Sequence, residues 1–103
     1  MAFDGTEGMP ISQARATELT KNYRTANPGK ILSCFLGRNI LQELLDQGGK
    51  GIRFYYGLDE ETPQLVAVGA DADENDQLGE GFIIADEGVC GPPRSGQDNY
   101  LNS

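Results

Sequence analysis

The 103-residue sequence predicts an α+β fold, with two helices packed on a small, mainly antiparallel sheet of three or four strands. Three observations carry that reading. Apolar residues recur at spacings of three and four in residues 12–24 and again in residues 40–47, the period of a helix with one buried stripe. Beyond residue 50 the pattern changes to short runs of aromatic, β-branched and small apolar residues at 52–56, 65–70 and 82–85. Polar segments at 59–64 and 71–81 separate those runs, which suits antiparallel neighbours joined by short reversals.

Each element follows from its local chemistry. Residues 1–10 are glycine-rich and without pattern, and read as a flexible lead that does not resemble a secretory signal. Ser12 is placed to cap a helix running to about Arg24, with Ala16, Leu19 and Tyr23 on its inner face. Lys21 and Arg24 suit its last turn, and Asn27-Pro28-Gly29 stops it. Residues 31–36, ILSCFL, read as a short strand or an early start of the next helix; strand is favoured because Gly37 breaks the run. Asn39 can then cap a second helix over 40–47, with Ile40, Leu41, Leu44 and Leu45 as its apolar seam. The glycines from Gly48 end it. Runs 52–56 and 65–70 form a hairpin, and 82–85 adds a third strand to make a meander. From Glu87 onward Gly and Pro preclude a long regular element, leaving a core domain at 11–90 and a Gly/Pro-rich tail at 91–103.

A chain of this length buries roughly two-thirds of its unfolded surface, enough for one core. The two cysteines, Cys34 and Cys90, are too few for a disulfide scaffold. A reduced, cytoplasmic setting is the default, with one optional bridge left open. No apolar run approaches the ~20 residues needed to span a bilayer. The formal charge is -8, and it is uneven: residues 1–53 carry +2, residues 54–103 carry -10. That balance opposes binding to nucleic acid or to an anionic membrane. Histidine is absent, which removes Ser–His and Cys–His catalysis and the commonest zinc ligand and weighs against an enzyme.

The order of motifs resembles a family of small, uncharacterised bacterial proteins of about this length. The matching pieces are Ile11-Ser12 before a helix ending Asn22-Tyr23-Arg24, the 37–47 helix, Gly51-Ile52-Arg53-Phe54-Tyr55-Tyr56-Gly57, Leu65-Val66-Ala67-Val68-Gly69-Ala70-Asp71 and a late Pro-Pro. The likeness spans roughly residues 11–101. It implies one compact domain and no particular activity. Proteins of that kind carry extra cysteines where this chain has Gly49, Gly91 and Ser95, so no cysteine chemistry carries over.

Two constellations are candidate sites. Arg53 and Tyr55 share one face of the first hairpin strand, and Arg24 and Arg38 stand near element ends. Together they are candidates for contact with an anion or a protein partner. The competing reading pairs Arg53 with a carboxylate such as Glu60 or Asp86. Asp71, Asp73 and Asn75 occupy the first, third and fifth places of a calcium loop, a divalent cation being the only cofactor the sequence suggests. That match fails at Asp76, where glycine is required, and at Phe82, where the bidentate Glu should stand; Glu80 or Asp86 would have to complete a different site. Three functions stay open. The first is a small binding or adaptor domain acting through a protein partner or a small ligand. The others are a metal-dependent or carboxylate-using enzyme at the acidic turn, and a structural subunit of a larger assembly.

Overall fold

The computed structural model describes residues 2–102 and is a small α+β fold, with two helices and two antiparallel sheets. The elements in chain order are α1 (Gln13–Ala26), β1 (Ser33–Phe35), α2 (Arg38–Leu45), β2 (Gly51–Asp59), β3 (Thr62–Ala70), β4 (Ile84–Ala85) and β5 (Val89–Gly91). Contacts gather them into two compact units. One comprises the chain up to Glu7 with Leu36–Gly88, the other Gly8–Phe35 with the chain from Val89 onward. The division expected from composition follows chain order, whereas these units follow strand pairing.

The first unit is built on the hairpin. β2 and β3 pair antiparallel without a break from Gly51↔Ala70 to Asp59↔Thr62. Glu60 and Glu61 form the two-residue turn, and Glu60 has φ +58°, the sign pattern of a type II′ turn. In such a turn the closing pair exchanges hydrogen bonds. Alternation along the ladder then makes 57↔64, 55↔66, 53↔68 and 51↔70 the bonded pairs. Lys50 N–H also donates to Ala70 O at 2.7 Å, so Lys50 and Gly51 both face Ala70 in a bulge at the root of the hairpin. β4 joins β3 through Ala67↔Ala85 and Val68↔Ile84, completing the meander in the order β2-β3-β4. The third strand is shorter than expected. Gly79 and Gly81 adopt positive φ and Phe82 N–H bonds Gly79 O at 3.2 Å, so a turn consumes its first residues.

α2 starts two residues earlier than its periodicity predicts. Gly37, not Asn39, is its N-cap, and it caps through extended backbone without a side-chain bond. Leu44 is completely buried against Ala67 and Ala85, with Leu36, Ile40 and Ile52 around them. Burying that side chain stabilises the unit by roughly 2–3 kcal/mol. Gln77, also buried, donates from its backbone to Gly69 O at 2.8 Å and from Nε2 to Gln47 O at 3.2 Å. Gln47 Oε1 accepts from Ile83 N–H at 2.8 Å, which ties the chain leaving α2 to the strand that follows the acidic turn. A methyl on Gly69 would lie 2.2 Å from Gln77 Oε1, so the buried Gln77 carboxamide would have to shift to admit one.

In the second unit, α1 begins where the sequence predicts, with Ser12 Oγ accepting from Arg15 N–H at 3.0 Å. Its end lies two residues beyond Arg24, closed by Asn27 N–H on Tyr23 O at 2.9 Å and Asn27 Nδ2 on the same oxygen at 3.1 Å. The stripe of Ala16, Leu19 and Tyr23 is not a buried one: no residue of α1 is fully buried, and Leu19 and Tyr23 are exposed. β1 covers the middle of residues 31–36 and pairs antiparallel with β5. That register sets Cys34 opposite Cys90, and the two are joined in a disulfide. The optional bridge that the sequence leaves open is therefore formed, against the reduced default. A separation of 56 residues concealed the pair until β1 and β5 were placed side by side. Among the described residues no helix is long and apolar enough to cross a membrane.

Candidate functional site

Period-two geometry in β2 turns Arg53 and Tyr55 to the same face of the hairpin. After β3 the chain reverses through residues 71–75 and returns beside the strand, where Asp76 bridges Ala70. The return is shaped by Asp71. Its Oδ1 accepts from Asp73 N–H at 2.9 Å and from Asn75 N–H at 3.0 Å, and its own N–H donates to Asn75 O at 2.9 Å. Asp76 is thereby delivered to Arg53 and Tyr55.

Asp76 is held by both oxygens. Arg53 Nη1 donates to Oδ1 at 2.6 Å, and the Tyr55 hydroxyl donates to Oδ2. Arg53 Nη1 also donates to Glu74 O at 3.2 Å, and its guanidinium carbon stands 5.4 Å from the centre of the Phe3 ring. Phe3 is fixed in turn by its N–H on Ala72 O at 2.9 Å. The Tyr55 hydroxyl, and after it Arg53, holds the Asp76 carboxyl below its ordinary value. The bond to Asp76 raises both Tyr55 and Arg53 above theirs. At neutral pH the three stay anionic, neutral and cationic respectively. With both Asp76 oxygens taken by charged or hydroxyl donors, the three side chains form a charge-assisted clamp.

Beside the clamp lies a cleft of about 460 Å³. Phe3, Leu45, Ile52 and Ala70 give it apolar walls, and Lys50 and Arg53 bring two cations to it. Glu7 also lines it, with Oε2 accepting from Asp4 N–H and Oε1 from Gly5 N–H, each at 3.0 Å. The loop carrying Glu7 is closed by Asp4, whose Oδ1 takes the Thr6 hydroxyl at 2.6 Å and the Thr6 N–H at 2.9 Å. Those bonds lower the Asp4 carboxyl.

Of the residues singled out from sequence, the structure brings Arg53 and Tyr55 together on one carboxylate. That carboxylate is Asp76, in place of the Glu60 or Asp86 that the sequence offers. Arg38 opens α2, and Arg24 belongs to the second unit, where its Nη1 donates to Leu101 O at 2.7 Å. Asp71, Asp73 and Asn75 share one tight turn in which Asp71 Oδ1 already accepts two backbone donors. No cluster of three Asp, Glu, His or Cys side chains fit to hold a metal ion is found among the described residues. Sequence reasoning missed Phe3, Lys50 and Asp76. Phe3 lies in a segment without periodicity, and Asp76 becomes visible only once the 71–75 turn is known to fold back on β3.

Fold and site together define a small α+β protein with an Arg–Asp–Tyr clamp at the rim of an apolar, cation-bearing cleft. No protein family, curated protein or solved structure matches the chain.

Proposed function

We propose that the chain is a small binding domain whose cleft takes an apolar carboxylate or a similar amphiphilic anion. One observation carries the reading: in a chain of net charge -8, two cations, Lys50 and Arg53, line one cleft whose other walls are largely apolar, and its one carboxylate, Glu7, is turned to the Asp4 and Gly5 amides. Pockets for small ligands combine such walls with a few placed polar groups that fix orientation. Asp76 and Glu74 O hold the guanidinium from Nη1, which orients it ahead of binding and removes the ordering cost of a flexible side chain. The anion would lie against Lys50 and Arg53, with its hydrocarbon part between Leu45 and Ile52.

Calorimetric titration with octanoate and with octanamide tests this, since the two share a hydrocarbon tail and differ in charge. Octanoate binding that weakens in Lys50→Glu, with octanamide binding poorly throughout, is the expected result. Equal binding of both, or none of either, would refute the proposal. We read the compartment as an oxidising one rather than the cytoplasm, because structural disulfides persist where thiols are not kept reduced; the Cys34–Cys90 bond supports this. Thiol alkylation of protein taken directly from cells, with and without prior reduction, checks it. Two thiols labelled before reduction would restore the cytoplasmic reading.

A further inference from the structure

Beyond Arg53, the outer edge of β2 has no use in the cleft or the clamp. β2 is an end strand of its sheet, and among the described residues no strand pairs on its far side. Because the odd-numbered residues bond to β3, the N–H and C=O groups of Ile52, Phe54, Tyr56 and Leu58 point away from it, toward the open edge. The side chains there are apolar and strongly exposed: Tyr56 is 96% exposed and Leu58 73%, with Phe54 also exposed. End strands of soluble proteins are usually short, charged, bulged or covered. This one runs nine residues, and its one bulge lies at the root, away from residues 54–58.

We propose that a second copy of the chain covers this edge, the two β2 strands pairing antiparallel about a two-fold axis through Tyr56. The sequence of the strand chooses both occupant and register. With Tyr56 opposite Tyr56 of the second copy, Phe54 meets Leu58 and Leu58 meets Phe54. All are residues whose backbone groups face outward, so each pair exchanges two hydrogen bonds and the interface gains six. The same register sets Arg53, whose Nη1 is already held by Asp76 and Glu74 O, opposite Asp59 in both directions, so the carboxylate of the second copy faces the rest of the guanidinium at closely spaced, non-bonded positions. Shifting the axis to Tyr55 or Phe54 loses that charge pairing. Two three-stranded sheets would then form one continuous sheet of six strands, with the contact self-complementary as a two-fold interface requires. The apolar part of the contact, Phe54 to Leu58, lies outside the cleft, whose lining ends at Arg53 on this strand.

Sedimentation of the wild-type chain from micromolar to millimolar concentration, beside Tyr56→Lys and Tyr56→Pro, tests the proposal. Lysine puts two like charges on the axis. Proline removes an outward N–H that β3 does not use, so the hairpin keeps its own bonds. The expected result is a wild-type species of twice the 11.1 kDa chain mass that both variants reduce to one chain, with unchanged circular dichroism. A wild-type protein that stays at one chain mass throughout, or variants that dimerise as wild type does, would overturn it. Loss of the hairpin signal in Tyr56→Pro leaves Tyr56→Lys to decide, because so exposed a side chain has no part in the fold.

Discussion

Reducing the Cys34–Cys90 bond should remove a large share of the stability of this protein. The bond closes a loop of 56 residues' separation. Chain-entropy reasoning for a loop of that size gives roughly 14 cal/mol/K, or about 4 kcal/mol at 25 °C, lost from the unfolded state on cross-linking. The effect should be felt most in the second unit, whose fully buried part is slight: among the described residues Gly91 alone is buried there, and α1 contributes no fully buried residue. A core that small does not hold two distant chain segments together without a staple. The figure applies when residues 36–88 unfold in the same transition. If that unit stays folded, it already shortens the path between the cysteines, and the loss is smaller. Urea unfolding followed at 222 nm is a suitable assay, because α1 supplies fourteen of the residues in the two helices. Oxidised wild type, reduced wild type and a Cys34→Ser/Cys90→Ser double variant should be compared. Reduced and double-variant proteins should agree with one another and lose the α1 signal at lower urea. Identical midpoints for all three would refute the reasoning.

Other expectations follow from single positions. Glu60→Gly should raise stability by about 0.5–1 kcal/mol, read as a higher urea midpoint. The native φ of +58° strains a residue with a side chain, and the relief exceeds the entropy glycine adds to the unfolded chain. Gly69→Ala should cost about 1–3 kcal/mol by the same assay, since its methyl displaces the buried Gln77 carboxamide. The Asp76 carboxyl titrates lower in the folded protein than in the unfolded chain, whose value is near 3.8. Its contribution is therefore complete above the unfolded value and disappears as pH falls through the folded one. Asp76→Asn should flatten the decline of the urea midpoint between roughly pH 5 and pH 2 relative to wild type.

What the sequence made legible was local. The N-cap at Ser12, the hairpin of 52–56 with 65–70 and the strand character around Cys34 all rest on patterns within about ten residues of chain. The α+β class follows from those patterns directly. Residues that meet through long reversals were not legible. Cys34 meets Cys90 only through the β1–β5 pairing, and Asp76 meets Arg53 only because the 71–75 turn doubles back on β3. The cap of α2 misled for a different reason. Asn39 has the right side chain, yet Gly37 provides the extended backbone one residue before the helix begins, and no side-chain bond is needed. For the site, period two placed Arg53 and Tyr55 on one face. Nothing in residues 1–10 announced that Phe3 would stand over the guanidinium.

The most direct test of the binding proposal is a ¹⁵N-resolved NMR titration of the oxidised chain with octanoate, followed residue by residue. Amide shifts should concentrate at Gly5, Lys50, Gly51, Ile52, Arg53 and Ala70, saturate together and leave the 59–62 turn and α1 unmoved. Shifts that collect on α1 or the hairpin tip, or that grow evenly over the chain without saturating, would contradict it.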